Sequence, residues 1–256
     1  MPVRSIAPLG APTWIDLATS DLDSAKGFYS TVFGWTFEDT GPEYGGYVTA
    51  RLDGHPVAGL MPNDPQWNAP DGWSTYLHTA DAEATVAAAT AAGGTSCGAT
   101  MDIPGKGRMA MLTDPAGAVF GVWQPAGHNG FEIVNAAGAP DWHQLTTADY
   151  TGALHFYRTV FGWDIRTEAD TPEFRYSNAF FDGEPLLGVM DGAAFGGPSQ
   201  WNFFLGADDV DKTVQLVTDN GGAVLRAAED TPYGRLAAVA DPTGAAFNLS
   251  SIPRPQ

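Results

Sequence analysis

The chain has 256 residues, 44% of them hydrophobic, with eight Trp and fourteen Phe; this composition describes a globular protein with room for two ordinary domains. Twelve basic residues against thirty acidic ones leave a formal net charge of −18, which argues against nucleic acid and anionic membranes as partners and favours a neutral or cationic small molecule. No apolar run approaches the ~18 residues of a membrane span, no export signal is visible, and the single Cys97 excludes an internal disulfide framework, so a cytoplasmic location is expected with Cys97 as a buried or inert thiol.

The first unit opens with a strand over Thr13–Ala18. A helix follows from Leu22 to Phe33, with Asp21 placed to cap its N-terminus and Gly34 to stop it. Three short strands are predicted next, near Trp35–Glu38, Tyr47–Leu52 and Val57–Met61, the last two joined at Asp53-Gly54 by a turn that needs positive φ. The second unit repeats the order: a strand at Ser74–Thr79, a helix from Ala82 to Ala92, a stop at Gly93-Gly94, and strands near Thr95–Ala99, Gly107–Leu112 and Ala118–Gln124. An Asp114-Pro115-Ala116-Gly117 turn joins the last two.

The second half of the chain then restates the first. Trp14 to Asp21 and Phe28-Tyr29-x-x-Val32-Phe33-Gly34-Trp35 recur as Trp142 to Asp149 and Phe156-Tyr157-x-x-Val160-Phe161-Gly162-Trp163, an offset of 142 − 14 = 128. Trp73 returns as Trp201, Asp53-Gly54 as Asp182-Gly183, and Asp114-Pro115-x-Gly117 as Asp241-Pro242-x-Gly244. The chain is a tandem duplication of the α+β class: four βαβββ units paired into two incomplete β-barrel domains with external helices. The expected boundaries are 8–126 for the first domain, 127–139 for a linker and 140–253 for the second. Strand periodicity turns Trp14, Asp16 and Ala18 toward the first cleft and Ile15 and Leu17 toward the helix; Trp142, Gln144 and Thr146 face the second cleft, with His143 on the helix side.

The Phe-Tyr-x-x-Val-Phe-Gly-Trp and Asp-Pro-x-Gly signatures resemble the vicinal oxygen chelate superfamily, which includes glyoxalase I, bleomycin-resistance proteins, fosfomycin-resistance enzymes and extradiol dioxygenases. The likeness covers nearly the whole chain and looks closest to two-domain, glyoxalase/bleomycin-resistance-like proteins of actinobacteria. Metal enzymes of the superfamily place His, Gln or Glu on the first strand of each unit and Glu near the end of the last. Counted from each unit's Asp, the first-strand positions here are Trp14, Ser74, Trp142 and Asn202, and the last-strand positions Gly59, Gly121, Gly188 and Asn248. None is His, Glu or Asp, so no metal or other cofactor is expected, although a divalent metal would return if the register slipped to Asp16, His78, His143 or Gln144.

The resulting expectation is a metal-free protein that binds a small hydrophobic, aromatic or cationic organic molecule in a Trp-lined cleft. Trp14, Tyr76, Trp123, Trp142, Gln144, Asn202 and Asn248 are the candidate ligand-binding residues, with Trp67 a further possible stacking platform. The alternative is a lyase or isomerase of glyoxalase type, or a natural-product tailoring enzyme, with Asp16 or His78 as general base. Matched Arg108 and Arg235 are expected to pair with the Asp114 and Asp241 turns. Four units in one chain supply what single-domain relatives assemble as dimers, so a monomer suffices and a homodimer is the alternative.

Overall fold

The protein is described by a computed structural model over residues 5–67 and 69–253, the side chain of Trp67 lying outside the described residues. The first unit holds β1 (Pro12–Thr19), α1 (Leu22–Phe33), β2 (Thr36–Asp39), β3 (Val48–Leu52) and β4 (His55–Pro62). The second holds β5 (Gly72–His78), α2 (Ala82–Ala91), β6 (Thr95–Ser96), β7 (Met101–Ile103), β8 (Gly107–Thr113) and β9 (Val119–Pro125). The third comprises β10 (Pro140–Thr147), α3 (Tyr150–Phe161), β11 (Asp164–Asp170), β12 (Arg175–Phe181) and β13 (Glu184–Asp191). The fourth comprises β14 (Gln200–Ala207), α4 (Val210–Asp219), β15 (Ala223–Thr231), β16 (Gly234–Ala240) and β17 (Ala246–Ser251).

Local chemistry sets these bounds. The Asp21 carboxylate accepts the Ser24 N–H at 2.9 Å and starts α1, Gly34 ends it in the left-handed region at φ 71°, and Asp149 and Gly162 do the same for α3. Asp53-Gly54 and Asp182-Gly183 adopt the positive φ values their turns require. The strand expected over Thr95–Ala99 is split instead: the chain leaves the ladder after Ser96, passes Gly98, and pairs with β8 again as β7.

Two units join edge to edge in each half. The first sheet runs β2-β3-β4-β1-β5-β9-β8-β6, with β7 also on β8, and the second runs β11-β12-β13-β10-β14-β17-β16-β15. In each, the first strand pairs parallel with the last strand of its own unit and antiparallel with the first strand of the next. Edges remain at both ends, so the barrels are incomplete.

The helices lie outside the barrels but inside the molecule. Helix α1 packs on α4 and α2 on α3, so the first unit shares one apolar core with the fourth and the second shares another with the third. The stripe Ala25, Phe28, Tyr29 and Val32 of α1 meets Phe247 of β17, and Phe120 of β9 meets Phe156 of α3. Polar pairs then lock the halves together. The Tyr29 hydroxyl donates to Asp241 Oδ2 at 3.0 Å and accepts from Trp73 Nε1; reciprocally, Tyr157 donates to Asp114 Oδ2 at 3.3 Å and accepts from Trp201 Nε1. Trp35 and Trp163 reach carbonyls across the halves as well, at Gly138 and Gly10.

The segment between the halves is a fixed strap. Its Phe131 N–H donates to Thr13 O, Glu132 N–H to Pro56 O and Gly138 N–H to Gly206 O. Of the two alternatives expected for Cys97, buried or inert, the structure excludes the first: the thiol is exposed, and partial burial raises its pKa and keeps it protonated. Among the described residues no helix is long and apolar enough to cross a membrane.

Candidate functional site

Strand β1 delivers the first site by alternation: Ile15 and Leu17 are fully buried on the helix side, while Trp14 and Asp16 face the barrel interior. The ladder register places Asp16 between Gly59 of β4 and Ser74 of β5, and Trp14 beside Tyr76, itself beside Gly121 of β9. The last-strand glycines are therefore level with Asp16 and Tyr76, two residues along from the Trp14 and Ser74 positions obtained by counting. The second barrel shows the same displacement: Gly188 is level with Gln144 and Asn248 with Phe204. A parallel ladder sets its own level across strands, and sequence distance from a helix cap does not record it.

Those glycines make room for tyrosines. A Cβ at Gly59 would lie 1.8 Å from the Tyr47 hydroxyl and 2.2 Å from Asp16 Oδ1, and one at Gly121 would lie 2.1 Å from the Tyr76 ring. In the space so opened, Tyr47 donates to Asp16 Oδ1 at 2.7 Å and Trp14 Nε1 donates both to Asp16 Oδ1 and to the Tyr47 oxygen at 2.8 Å, with the Tyr76 hydroxyl close enough to favour the charged carboxylate. Burial pushes Asp16 up to about 6, against the lowering effect of Tyr47, Trp14 and Tyr76. Burial and the adjacent Asp16 charge push the Tyr47 and Tyr76 hydroxyls well above the usual range, so both stay protonated donors.

The first barrel is also roofed. Tyr44, in the β2–β3 connection, donates to the Pro104 carbonyl of the β7–β8 hairpin at 2.8 Å, and the Lys106 ammonium sits over its ring. From the strap, the His128 ring stands edge-on to Trp14 at 4.3 Å. His128 is half-buried, yet its Nε2 is sealed from water and lacks a hydrogen-bond partner among the described residues. Burial, then the charge of Lys106, pushes it down to about 4, so it is neutral at physiological pH. Trp123 ties the strap down by donating to the His128 carbonyl at 2.8 Å.

His78 does not join this cluster. Its Nδ1 bonds the Ala7 carbonyl at 2.6 Å, and its side chain lines a separate groove with Leu9, Ala84 and Phe161 at the α2–α3 side. The β-bulge between Pro12 and Trp14 shifts the register at that end of β1, and strand parity alone does not register it. His143 sits buried on the helix side as expected, near Phe131 and Phe203. Arg108 and Arg235 pair not with the Asp114 and Asp241 turns but with Glu83 and Asp102, and with Asp211 and Asp230. Asp114 and Asp241 are engaged by their own turns' N–H groups and by Tyr157 and Tyr29.

In the second barrel Gln144 replaces Asp16. Trp142 Nε1 donates to the Tyr176 hydroxyl at 3.1 Å, which donates to Gln144 Oε1 at 3.2 Å; Gln144 Nε2 and Asn202 Nδ2 both donate to Thr146 Oγ1, at 3.3 and 3.2 Å. Gly188 makes room for Tyr176 as Gly59 does for Tyr47. The Asn248 amide donates to the Phe203 carbonyl at 3.2 Å. Tyr47 and Tyr176, absent from the sequence reading, correspond at 176 − 47 = 129, one beyond the main offset; the two Asp-Gly turns show the same step, 182 − 53 = 129. That step was the signal that would have found them. His128 has none, because the strap lies outside the repeat.

The Glyoxalase/Bleomycin resistance protein/Dioxygenase superfamily model matches the chain twice, over residues 11–122 and 139–249. The chain belongs to this superfamily. Among superfamily relatives, putative glyoxylase CFP32 of Mycobacterium tuberculosis is 35% identical over 100% of both chains. The anthracycline biosynthesis protein DauV of Streptomyces sp. (strain C5) is 33% identical over 95% of this chain and 94% of its own. In fold the chain is similar to the Mn(II)-bound glyoxalase of Novosphingobium aromaticivorans, with a TM-score of 0.66 at 16% identity over 95% of this chain and 82% of that one. Both superfamily matches leave out the strap residue His128.

Proposed function

We propose that this chain is a metal-independent member of the superfamily that encloses a small hydrophobic or aromatic organic molecule. One observation carries the reading. The inner row of the first barrel offers one carboxylate, Asp16, and its Oδ1 already accepts from the Tyr47 hydroxyl and the Trp14 indole. Among the described residues no three His, Cys, Asp or Glu side chains gather where they could hold a metal. A divalent cation bound through nitrogen and oxygen needs several carboxylate or imidazole ligands, whereas these interiors present phenol, indole and carboxamide groups. The residues do not fit a resident divalent metal. Relatives named for anthracycline biosynthesis support an organic small molecule as the ligand. The acidic surface and lone Cys97 support a cytoplasmic protein, monomeric or homodimeric, that engages neither nucleic acid nor an anionic membrane.

Elemental analysis of the purified chain after growth with added manganese, iron, nickel and zinc should find metal far below one ion per chain. Calorimetry against a panel of neutral aromatic compounds should find saturable binding unaffected by a chelator. A stoichiometric divalent ion whose removal abolishes ligand binding would overturn the reading.

A second reading, an enzyme with Asp16 as general base, has its own support: a buried carboxyl near pH 6 is poised to take a proton at neutral pH, and the relatives named putative glyoxylase keep a reaction in view. Metal-free turnover of a methylglyoxal–thiol adduct should rise with pH through about 6 and disappear in Asp16→Asn. A rate indifferent to that substitution removes Asp16 from the reaction.

A further inference from the structure

The two barrels share a fold but differ in closure. In the first, Trp14, Asp16 and Tyr76 are buried and the Trp14–Asp16–Tyr47 triangle closes at 2.7–2.8 Å. In the second, Trp142, Gln144, Asn202 and Asn248 are half-buried, and the bonds linking Trp142, Tyr176, Gln144, Thr146 and Asn202 lie at 3.1–3.3 Å. Long hydrogen bonds at a partly wet surface contribute little, so an incoming molecule can take over their donors and acceptors at small cost. The second interior therefore holds Trp142, Gln144 and Asn202 less tightly than the first holds Trp14 and Asp16.

The second interior is built of carboxamides. The ladder sets Asn178, Gly188, Gln144 and Asn202 in one row across β12, β13, β10 and β14, with Asn248 further along. Asn178 Oδ1 is sealed from water and lacks a donor among the described residues, which a buried amide oxygen rarely does. Aromatic surface frames the row. Trp142 stands beside it, level with Phe204 and Asn248, and Phe174 stacks on Tyr176 at 5.7 Å and 10°, with Tyr233 6.0 Å beyond. Phe174 and Tyr233 keep 37% and 45% of their surface in water. Charge stays at the rim: Glu168 accepts from Asn178 Nδ2 at 3.5 Å, and Arg175 pairs with Asp170 and Asp191.

We infer that the second barrel seats the ligand, and that the ligand is a neutral planar aromatic compound whose edge carries carbonyl and hydroxyl groups, as hydroxyquinones do. Each carboxamide supplies an N–H donor and a C=O acceptor, which matches an edge of alternating carbonyl and hydroxyl groups. The aromatic side chains match its faces. A cation would be better served by the Asp16 position, which here is Gln144, and no unpaired cationic side chain is offered to an anion in the row. The inference rests on the metal-independent reading above and adds the seat and the ligand class.

Calorimetry of the full chain with quinizarin, a neutral dihydroxyanthraquinone, tests it beside cationic proflavine and anionic naphthalenedisulfonate. The variants are Met190→Trp, which places bulk beside Gln144 and Thr146, its first-barrel counterpart Met61→Trp, and the milder Asn202→Ala, which keeps the test open if an indole disturbs folding. Quinizarin should bind the wild type with little salt dependence. It should weaken by roughly tenfold or more in Met190→Trp and Asn202→Ala and stay within about twofold in Met61→Trp. Loss confined to Met61→Trp would overturn the seat, and preference for either charged probe would overturn the ligand class, both leaving the metal-independent reading intact. Silence of all three probes toward the metal-free wild type, with binding restored by a stoichiometric divalent ion, would overturn that reading and the inference together.

Discussion

Asp16 and Gln144 hold the same place in two copies of one fold, and the difference between them is a charge. An aspartate titrates near 3.8 when unfolded, and burial raises Asp16 to about 6 in the fold. Folding therefore favours its protonated form: the stabilisation is fully present below pH 3.8 and is lost as pH rises through about 6. About two pH units correspond to a burden on the order of 3 kcal/mol above pH ~7. Asp16→Asn should consequently exceed the wild type in stability at pH ~8 by up to that amount and lose most of the advantage at pH ~4, as read from denaturant midpoints. The same difference at both pH values would show that burial does not strain the carboxyl. His128 runs the other way, since burial lowers it to about 4: its contribution is present above pH 6.5 and is lost as pH falls from there through about 4. Asp16 was legible in the sequence because alternation along one strand fixes a side. Its partner Tyr47 is marked only by the shifted offset it shares with the Asp-Gly turns, and its neighbour His128 by nothing, because the strap lies outside the repeat.

At the scale of elements, the exchange of glycine against tyrosine shapes both interiors. Gly59, Gly121 and Gly188 lie on strands beside positions where a side chain would strike Tyr47, Tyr76 and Tyr176. Gly59→Ala should destabilise the protein by about 1–3 kcal/mol, the usual range for overpacking. Part of that loss should vanish in a Tyr47→Ala background, the clash with Asp16 remaining, and a double-mutant cycle measures the difference. Equal losses in both backgrounds would mean that Tyr47 is not what the glycine accommodates. Helices were the most legible elements: α1 lies about where the sequence places it because Asp21 and Gly34 bracket an apolar stripe. Strand level across the sheet was not legible: the last-strand positions lie level with residues two along from the first-strand positions assigned by counting.

For the whole molecule, the motifs that repeat most faithfully act between the halves rather than within either cleft. In Asp114 and Asp241 one carboxylate oxygen accepts N–H groups of its own turn while the other receives a tyrosine from the opposite half. Around these pairs α1 and α4, and α2 and α3, bury their apolar faces together. A half cut after residue 126 would leave the stripe of α1 without its cover from the fourth unit. It should therefore dimerise, with a second copy supplying the helix that α4 provides in the full chain; sedimentation velocity reads this directly. A folded, monomeric half would show that the shared cores are not required. Removing the cross-half acceptor by Asp114→Ala should destabilise the full chain by about 1–3 kcal/mol, since it leaves the buried Tyr157 hydroxyl without its acceptor.

By itself the sequence determined the duplication, the α+β units, the approximate helix limits and the faces on which Trp14 to Leu17 and Trp142 to Leu145 lie, because these follow from local dihedral preferences and from periods of two and 3.6 residues. Tertiary structure alone decided that Tyr47 and Tyr176 occupy the room left by glycines, that His128 stands against Trp14, that His78 turns away, and that the polar bonds of the first interior are shorter than those of the second. Those outcomes depend on how strands align and what loops deliver across them, and such distances are not written in the spacing of residues along a chain.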